Sequence, residues 1–180
     1  MNEETLPSRT TGALPDDRTP ASVTEPMTQL PERTDLVPVV GLGGSAGSIS
    51  ALQTFFSHVT PDSGLAFVVV LHLAPDFESS LVDVLARCAP LPVAWAADGT
   101  EVQADHAYVI PAGWHLRSAD GRLALRKMEA TRGRHVAVDL FFRTLADTHG
   151  RRAAAVVLSG ADGDGAIGVR RMKERGGLTV

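Results

Sequence analysis

Ser45, His72 and Asp164 each stand where an apolar run of this 180-residue chain ends. Residues 37–47 read Val-Pro-Val-Val-Gly-Leu-Gly-Gly-Ser-Ala-Gly, and residues 65–73 read Leu-Ala-Phe-Val-Val-Val-Leu-His-Leu. Residues 154–165 read Ala-Ala-Val-Val-Leu-Ser-Gly-Ala-Asp-Gly-Asp-Gly. A serine, a histidine and an aspartate are the parts of a nucleophilic hydrolase, as attacking oxygen, proton acceptor and orienting carboxylate. Parallel sheets deliver such groups to one place, the carboxyl ends of their strands.

Each of the three segments supports a second reading. Gly43-Gly44-Ser45-Ala46-Gly47 fits the G-x-S-x-G turn that exposes a serine between a strand and a helix. That turn predicts strained backbone at the glycines, with helix N–H donors just beyond the serine for an oxyanion. The bland alternative is a serine that only caps the helix. The same stretch, Gly41-x-Gly43-x-x-Ala46, also fits a dinucleotide fingerprint. A dinucleotide site expects an acid at the end of the second strand; His72 stands there, and the nearest preceding acid is Asp62 in a turn. A histidine on a buried strand is as easily structural as catalytic. His58 and His149 fall at helix ends, where a cation is favourable, and His106, His115 and His135 fall in loops or strand starts.

The segment Ser159-Gly160-Ala161-Asp162-Gly163-Asp164-Gly165 superficially resembles a calcium loop, but no closing glutamate follows Asp162 and Asp164. No metal and no cofactor are expected. Cys88 reads as an apolar filler on a helix. Arg117, Arg122, Arg126, Lys127, Arg132 and Arg134 read as a solvated surface, with a docking face for an acidic protein as the second reading.

The elements that must position these groups alternate along the chain. Strands are predicted at 37–43, 65–72, 93–97, 106–110 and 153–158, and another begins at Leu178–Val180. Helices are predicted near Ser48–His58, Glu78–Cys88, Val138–Thr148 and Ala166–Arg175, from apolar positions three and four apart. Leu116–Ser118 and Leu123–Lys127 flank Ala119-Asp120-Gly121-Arg122, a hairpin signal. The pattern predicts a doubly wound, mostly parallel α/β sheet, a Rossmann-like three-layer α/β/α fold, with a small β-hairpin excursion near 106–127.

Residues 1–36 carry seven acids, three arginines and five prolines without periodicity, so they read as a disordered tail before a domain at 37–180. The tail holds the whole net charge of −4, leaving the remainder balanced, which argues against general nucleic-acid binding. No apolar run approaches the ~20 residues of a membrane span. One cysteine excludes an internal disulfide framework, and the polar amino terminus is no secretory signal. These features point to the cytoplasm.

Six ordered blocks resemble the catalytic domain of the chemotaxis protein-glutamate methylesterases, the CheB-like family. The resemblance is closest to the version that opens methylesterase–methyltransferase fusions. The blocks are Val-Val-Gly-Leu-Gly-Gly-Ser-Ala-Gly, Phe-Val-Val-Val-Leu-His-Leu-Ala-Pro-Asp, Asp-Gly-Thr-Glu-Val with His-Ala-Tyr-Val-Ile-Pro-Ala-Gly, Val-Asp-Leu-Phe-Phe-Arg-Thr-Leu-Ala, Val-Val-Leu-Ser-Gly-Ala-Asp-Gly-Asp-Gly, and Met-Lys-Glu-Arg-Gly-Gly-Leu-Thr-Val. The resemblance implies hydrolysis of γ-glutamyl methyl esters on methylated chemoreceptors, with glutamine deamidation in some members, and no cofactor. It implies Ser45 as nucleophile, His72 as base and Asp164 as its orienting acid, with backbone donors at Gly44, Ala46, Gly160 and Ala161. The sequence departs from the family pattern at Ser48 and Asp162, where glycine is usual. The family also continues past the strand begun at Leu178, and its two-component members carry a receiver domain that residues 1–36 cannot supply. The chain therefore reads as incomplete at its carboxyl end, with a marginal fold and weak activity expected. The alternative reading is an impaired module that binds receptor helices without turnover.

Overall fold

The computed structural model describes residues 35–72, 80–128, 136–158 and 163–180, all within a compact unit running from Pro31 to Val180. The expected tail lies outside the described residues except for its last two. Of these, Leu36 is buried, and its carbonyl accepts a 2.8 Å hydrogen bond from Arg152 Nε.

Strand β1 (Val39–Ser45) continues through a 3-10 turn (Ala46–Ser48) into helix α1 (Ile49–Ser57). The chain then forms β2 (Ala66–His72), α2 (Leu81–Ala86), β3 (Val93–Trp95), β4 (Thr100–Glu101), β5 (Ala107–Val109), β6 (Trp114–Ala119) and β7 (Arg122–Lys127). Helix α3 (Ala137–His149), β8 (Ala153–Val157), α4 (Ala166–Glu174) and β9 (Leu178–Thr179) complete it. One sheet has the order β3-β5-β2-β1-β8-β9, with every described pair parallel. The second is antiparallel, in the order β4-β7-β6. The predicted α/β fold is present, and the strand order reverses between β1 and β8.

The apolar run of β2 explains its central position. Ala66, Val68 and Val70 pack on one face with Val138, Phe141, Phe142 and Leu145 of α3. Phe67, Val69 and Leu71 pack on the other with Leu52 and Phe56 of α1 and Leu81 and Leu85 of α2. A strand buried on both faces needs continuous apolar sequence rather than alternation.

The structure corrects three expectations. β1 lies two residues later than predicted, and its last pair is Ser45 with His72. The strand predicted at 106–110 is not part of an excursion: β5 sits in the parallel sheet between β2 and β3. The excursion is the β6–β7 hairpin with β4, a two-residue strand too short to carry a periodic signal. Its turn follows the predicted Asp120-Gly121, both at positive φ (48° and 75°), as a primed hairpin turn requires. Third, α2 ends at Ala86, two residues before the predicted Cys88, while its predicted start at Glu78 lies outside the described residues.

Helix α4 ends as its sequence predicts. Gly176, at φ 78°, donates to the Lys173 carbonyl, and Gly177 donates to that of Met172, a glycine-terminated cap. No described helix is long and apolar enough to cross a membrane.

Candidate active site

β1 and β2 place Ser45 and His72 side by side. They are partners in the parallel register, so their Cα atoms face across one strand spacing, about 4.8 Å. Side chains alternate along a strand, so both belong to the face shared by Gly41, Gly43, Val68 and Val70. That is the face covered by α3. Asp164 comes from the segment between β8 and α4, two residues before α4 begins. His72 Nε2 lies 2.9 Å from Asp164 Oδ2, and the histidine side chain is 20% exposed against 3% for the aspartate. The approach is close in distance but loosely aligned as a hydrogen bond. Such contacts at catalytic centres commonly tighten when substrate binds.

Asp164 is held by the amino end of α3. Its Oδ2 accepts the Val138 N–H at 3.0 Å and its Oδ1 accepts the Asp139 N–H at 2.9 Å. Those amides are among the donors that a helix leaves without internal partners, and the positive end of the helix dipole favours the anion there. The carboxylate is therefore fixed by two amides before it meets the imidazole.

The glycines serve a different purpose from the expected one. Ser45 has extended backbone, φ −103° and ψ 176°, and none of Gly41, Gly43, Gly44 or Gly47 has positive φ. The strained turn is absent. A Cβ on Gly43 would lie 2.4 Å from Val138 Cγ1 and 2.9 Å from Phe142 Cζ, and one on Gly41 would lie 2.9 Å from Phe142 Cε1. These glycines let α3 approach β1 closely enough for its amino end to reach Asp164. Gly43→Ala should overpack this contact by about 1–3 kcal/mol. At about 2–4 °C per kcal/mol, thermal denaturation should show a loss of several degrees. An unchanged melting temperature would mean that α3 does not need the glycine slot.

Ser45 makes no side-chain cap hydrogen bond to the turn that follows it, which removes the bland reading of a capping serine. Its Oγ lies 3.8 Å from where a Cβ on Gly47 would be, above the first helical turn. Of the expected oxyanion donors, Ala46 opens that turn and is exposed, whereas Gly44 is buried in β1 opposite Leu71. Gly160, Ala161 and Asp162 lie outside the described residues, as does His135. The dinucleotide reading gains nothing: His72, not an acid, ends β2.

Another serine and histidine also meet. Ser118 Oγ is 3.4 Å from His149 Nδ1, with Thr148 Oγ1 at 3.0 Å from the serine and 2.8 Å from the histidine. Both residues are nearly fully buried, 5% and 4% exposed. His149 ends α3, just before β8 begins, and so lies at the opposite edge of the parallel sheet from Ser45. It is a buried structural clasp between β6 and α3 at the end of that helix. Ser118→Ala should leave Ser45 reactivity unchanged while lowering stability by about 1 kcal/mol, the usual worth of a hydrogen bond. Paired unfolding and labelling measurements check this.

The other singled-out residues have local roles. His58 Nδ1 is 2.8 Å from the Thr54 carbonyl, and His106 Nδ1 is 2.8 Å from that of Ala104. Cys88 Sγ points to the Leu85 carbonyl at 3.2 Å and packs against the core, as an apolar filler would. Arg117, Arg126 and Lys127 are exposed on the hairpin, and Arg122 pairs with Glu101 at 2.7 Å. Asp139 was not visible in advance as part of this site. The available signal was an acid in the first turn of an amphipathic helix, on the face that carries Phe142.

The fold and this cluster define a doubly wound α/β protein with serine, histidine and aspartate gathered at the carboxyl edge of its sheet. The family model for CheB methylesterase matches residues 40–180. A Syntrophus aciditrophicus protein-glutamate methylesterase/protein-glutamine glutaminase is 34% identical over 143 residues, covering 79% of this chain and 41% of the relative. A Rhodospirillum rubrum protein of the same description is 30% identical over 178 residues, covering 96% and 46%. The crystal structure of the Thermotoga maritima CheB methylesterase catalytic domain superimposes with a TM-score of 0.70 at 29% identity, covering 79% of this chain and 77% of that one. The chain belongs to the CheB methylesterase family. It spans less than half the length of these two curated relatives.

Proposed function

We propose that the chain hydrolyses γ-glutamyl methyl esters on methylated chemoreceptors, with Ser45 as nucleophile, His72 as general base and Asp164 as its orienting carboxylate. The observation that carries this reading is the 2.9 Å His72–Asp164 pair formed beside Ser45 in strand register. The relatives' names, which combine methylesterase with glutaminase, support the substrate class. Glutamine deamidation uses the same acyl chemistry with ammonia as the leaving group.

Ser45 Oγ attacks the ester carbonyl while His72 takes its proton. With Nε2 on Asp164, the nitrogen that receives this proton is Nδ1. The oxyanion is met by the Ala46 N–H, with Gly44 as a further candidate donor; the family resemblance adds Gly160 and Ala161, which lie outside the described residues. His72 returns the proton to the departing methoxide, and methanol leaves an acyl-enzyme. Water, activated by the same imidazole, attacks the acyl-enzyme and releases glutamate and Ser45. Asp164 stabilises the transient imidazolium and keeps the proton on the nitrogen that faces it. No redox step occurs: one proton of the water returns to Ser45 through His72, and the other is released to solvent as the product carboxylic acid ionises.

The test combines fluorophosphonate labelling of the purified chain with methanol release from methylated receptor. A modified peptide containing Ser45 is the expected product. Replacing His72 with glutamine, which is no base, should abolish both rates. Labelling and methanol release at the parent rate in His72→Gln would exclude histidine as the base. A chain that binds receptor but neither labels nor releases methanol would favour the non-hydrolysing module.

A further inference from the structure

We infer that Asp139 is a positioning residue for the candidate active site, acting through Asp164 from both sides. The inference rests on the proposed roles of Asp164 and His72. Asp139 is buried, 7% exposed, in the first turn of α3. Its backbone N–H donates to Asp164 Oδ1 at 2.9 Å. Its carboxylate Oδ1 accepts the Gly168 N–H, buried, at 2.8 Å. Gly168 lies in the first turn of α4, which follows Asp164 directly through Gly165.

The two helices thus cap each other. Asp164, just ahead of α4, receives amides from the start of α3; Asp139, at the start of α3, receives an amide from the start of α4. Orphan amides at a helix start need an acceptor. Gly165 has no side chain to offer and stands at φ 102°. Asp139 supplies from the neighbouring helix the cap that α4 lacks in its own sequence. The result is a closed circuit: His72 to Asp164, Asp164 to the Asp139 amide, Asp139 carboxylate to α4, and α4 back to Asp164.

Close approach makes the circuit possible. A Cβ on Gly168 would lie 2.5 Å from Phe142 Cβ and 3.2 Å from the Asp139 carbonyl, so the two first turns meet almost backbone to backbone. Only a short carboxylate spans that gap. A further polar link between these helices, Asp147 with Arg171 and Arg175, is substantially exposed and lies at their far ends. Exposed pairs of this kind hold geometry weakly. The buried Asp139–Gly168 bond is therefore the one that fixes the end of α4 carrying Asp164.

The test compares Asp139→Asn, Asp139→Ser and Asp139→Ala in the 180-residue chain at a temperature where each is folded. Asparagine keeps an acceptor at the same reach and should behave like the parent. Alanine removes it, and Asp164 then drifts by a fraction of an ångström. A misplacement of about 1 Å can cost about a hundredfold in rate, and a smaller drift proportionally less. The expected result for Asp139→Ala is a ten- to hundredfold slower labelling of Ser45, a matching loss of kcat, and a KM within twofold. Serine, too short to reach, should fall between and serves if the alanine variant does not fold.

A second readout does not depend on turnover. The nitrogen–proton correlation spectrum of His72 should show one neutral tautomer in the parent and in Asp139→Asn, and a mixture in Asp139→Ala. If the alanine variant loses melting temperature yet labels at the parent rate with a single tautomer, Asp139 is a helix cap only and the inference is overturned. Equal loss in Asn and Ala would also overturn it, since the acceptor would not be what matters. A parent that never labels at Ser45 would instead sink the hydrolase reading, and the tautomer comparison would still decide the role of Asp139.

Discussion

Ser45→Ala should abolish methanol release and fluorophosphonate labelling while leaving the fold unchanged. Removing the serine of a Ser–His–Asp unit costs on the order of 10⁶ in kcat, because the remaining groups act only together with it. Structural cost should be small, since the Ser45 side chain caps no helix. Substitutions away from cores and caps usually stay within about 0.5 kcal/mol. Circular dichroism and unfolding should therefore coincide with those of the parent. The contrast with Ser118→Ala is the sharper half of the test. Ser118 also touches a histidine, yet that pair is buried and remote from Ser45. Loss of labelling at Ser45→Ala with full labelling at Ser118→Ala is the expected pattern. Residual activity within tenfold of the parent in Ser45→Ala would remove that residue from the mechanism, and the reverse pattern would transfer the role to Ser118.

The sheet was legible because burial on both faces leaves a strong mark. β2 is a continuous buried apolar run that ends at His72, and β8 is a shorter apolar run, with Asp164 in the segment that leads from it to α4. The start of α1 was legible from Leu52 and Phe56, and the hairpin from Asp120-Gly121. Strand neighbours were not. β5 and β3 pair through a register that only tertiary packing selects, so β5 was grouped with the hairpin that follows it in sequence. The glycines near Ser45 were read as conformational devices, from a motif defined by backbone strain. Their use is steric and depends on Val138 and Phe142, about a hundred residues away. The same distance hid Asp139. Its bond to Gly168 joins two helices whose sequences separately show only an acid in one first turn and no capping side chain in the other. The three candidate residues could be picked from their types and from the ends of apolar runs. What holds Asp164 is long-range backbone donation, which residue types do not encode.

Asp164→Asn should be strongly damaging, though less than loss of Ser45, for a reason visible in the donors around the carboxylate. Oδ1 takes the Asp139 N–H, while Oδ2 takes both the Val138 N–H and the contact with His72 Nε2. All three neighbours are donors when His72 carries its proton on Nε2. An amide offers one acceptor atom and one NH2 group. With its oxygen at the Oδ1 position, the NH2 faces Val138 and His72. The imidazole must then accept there, and its proton moves to the nitrogen that should receive the Ser45 proton. With the oxygen at the Oδ2 position, the NH2 faces the Asp139 N–H. One buried donor then loses its acceptor, at about 1–3 kcal/mol, and the charge that stabilises the imidazolium is gone in either case. The same substitution in a serine protease lowers kcat about 10⁴-fold through the wrong tautomer, and a loss of that order is expected here. Stability should fall as well, because the carboxylate also serves the start of α3. That double effect separates Asp164 from Ser45, whose removal should cost rate alone. The measurements are labelling rate, methanol release and urea unfolding of the two variants side by side. An Asp164→Asn protein that labels Ser45 within tenfold of the parent would show that the 2.9 Å pair is an incidental contact and that His72 is oriented by another group.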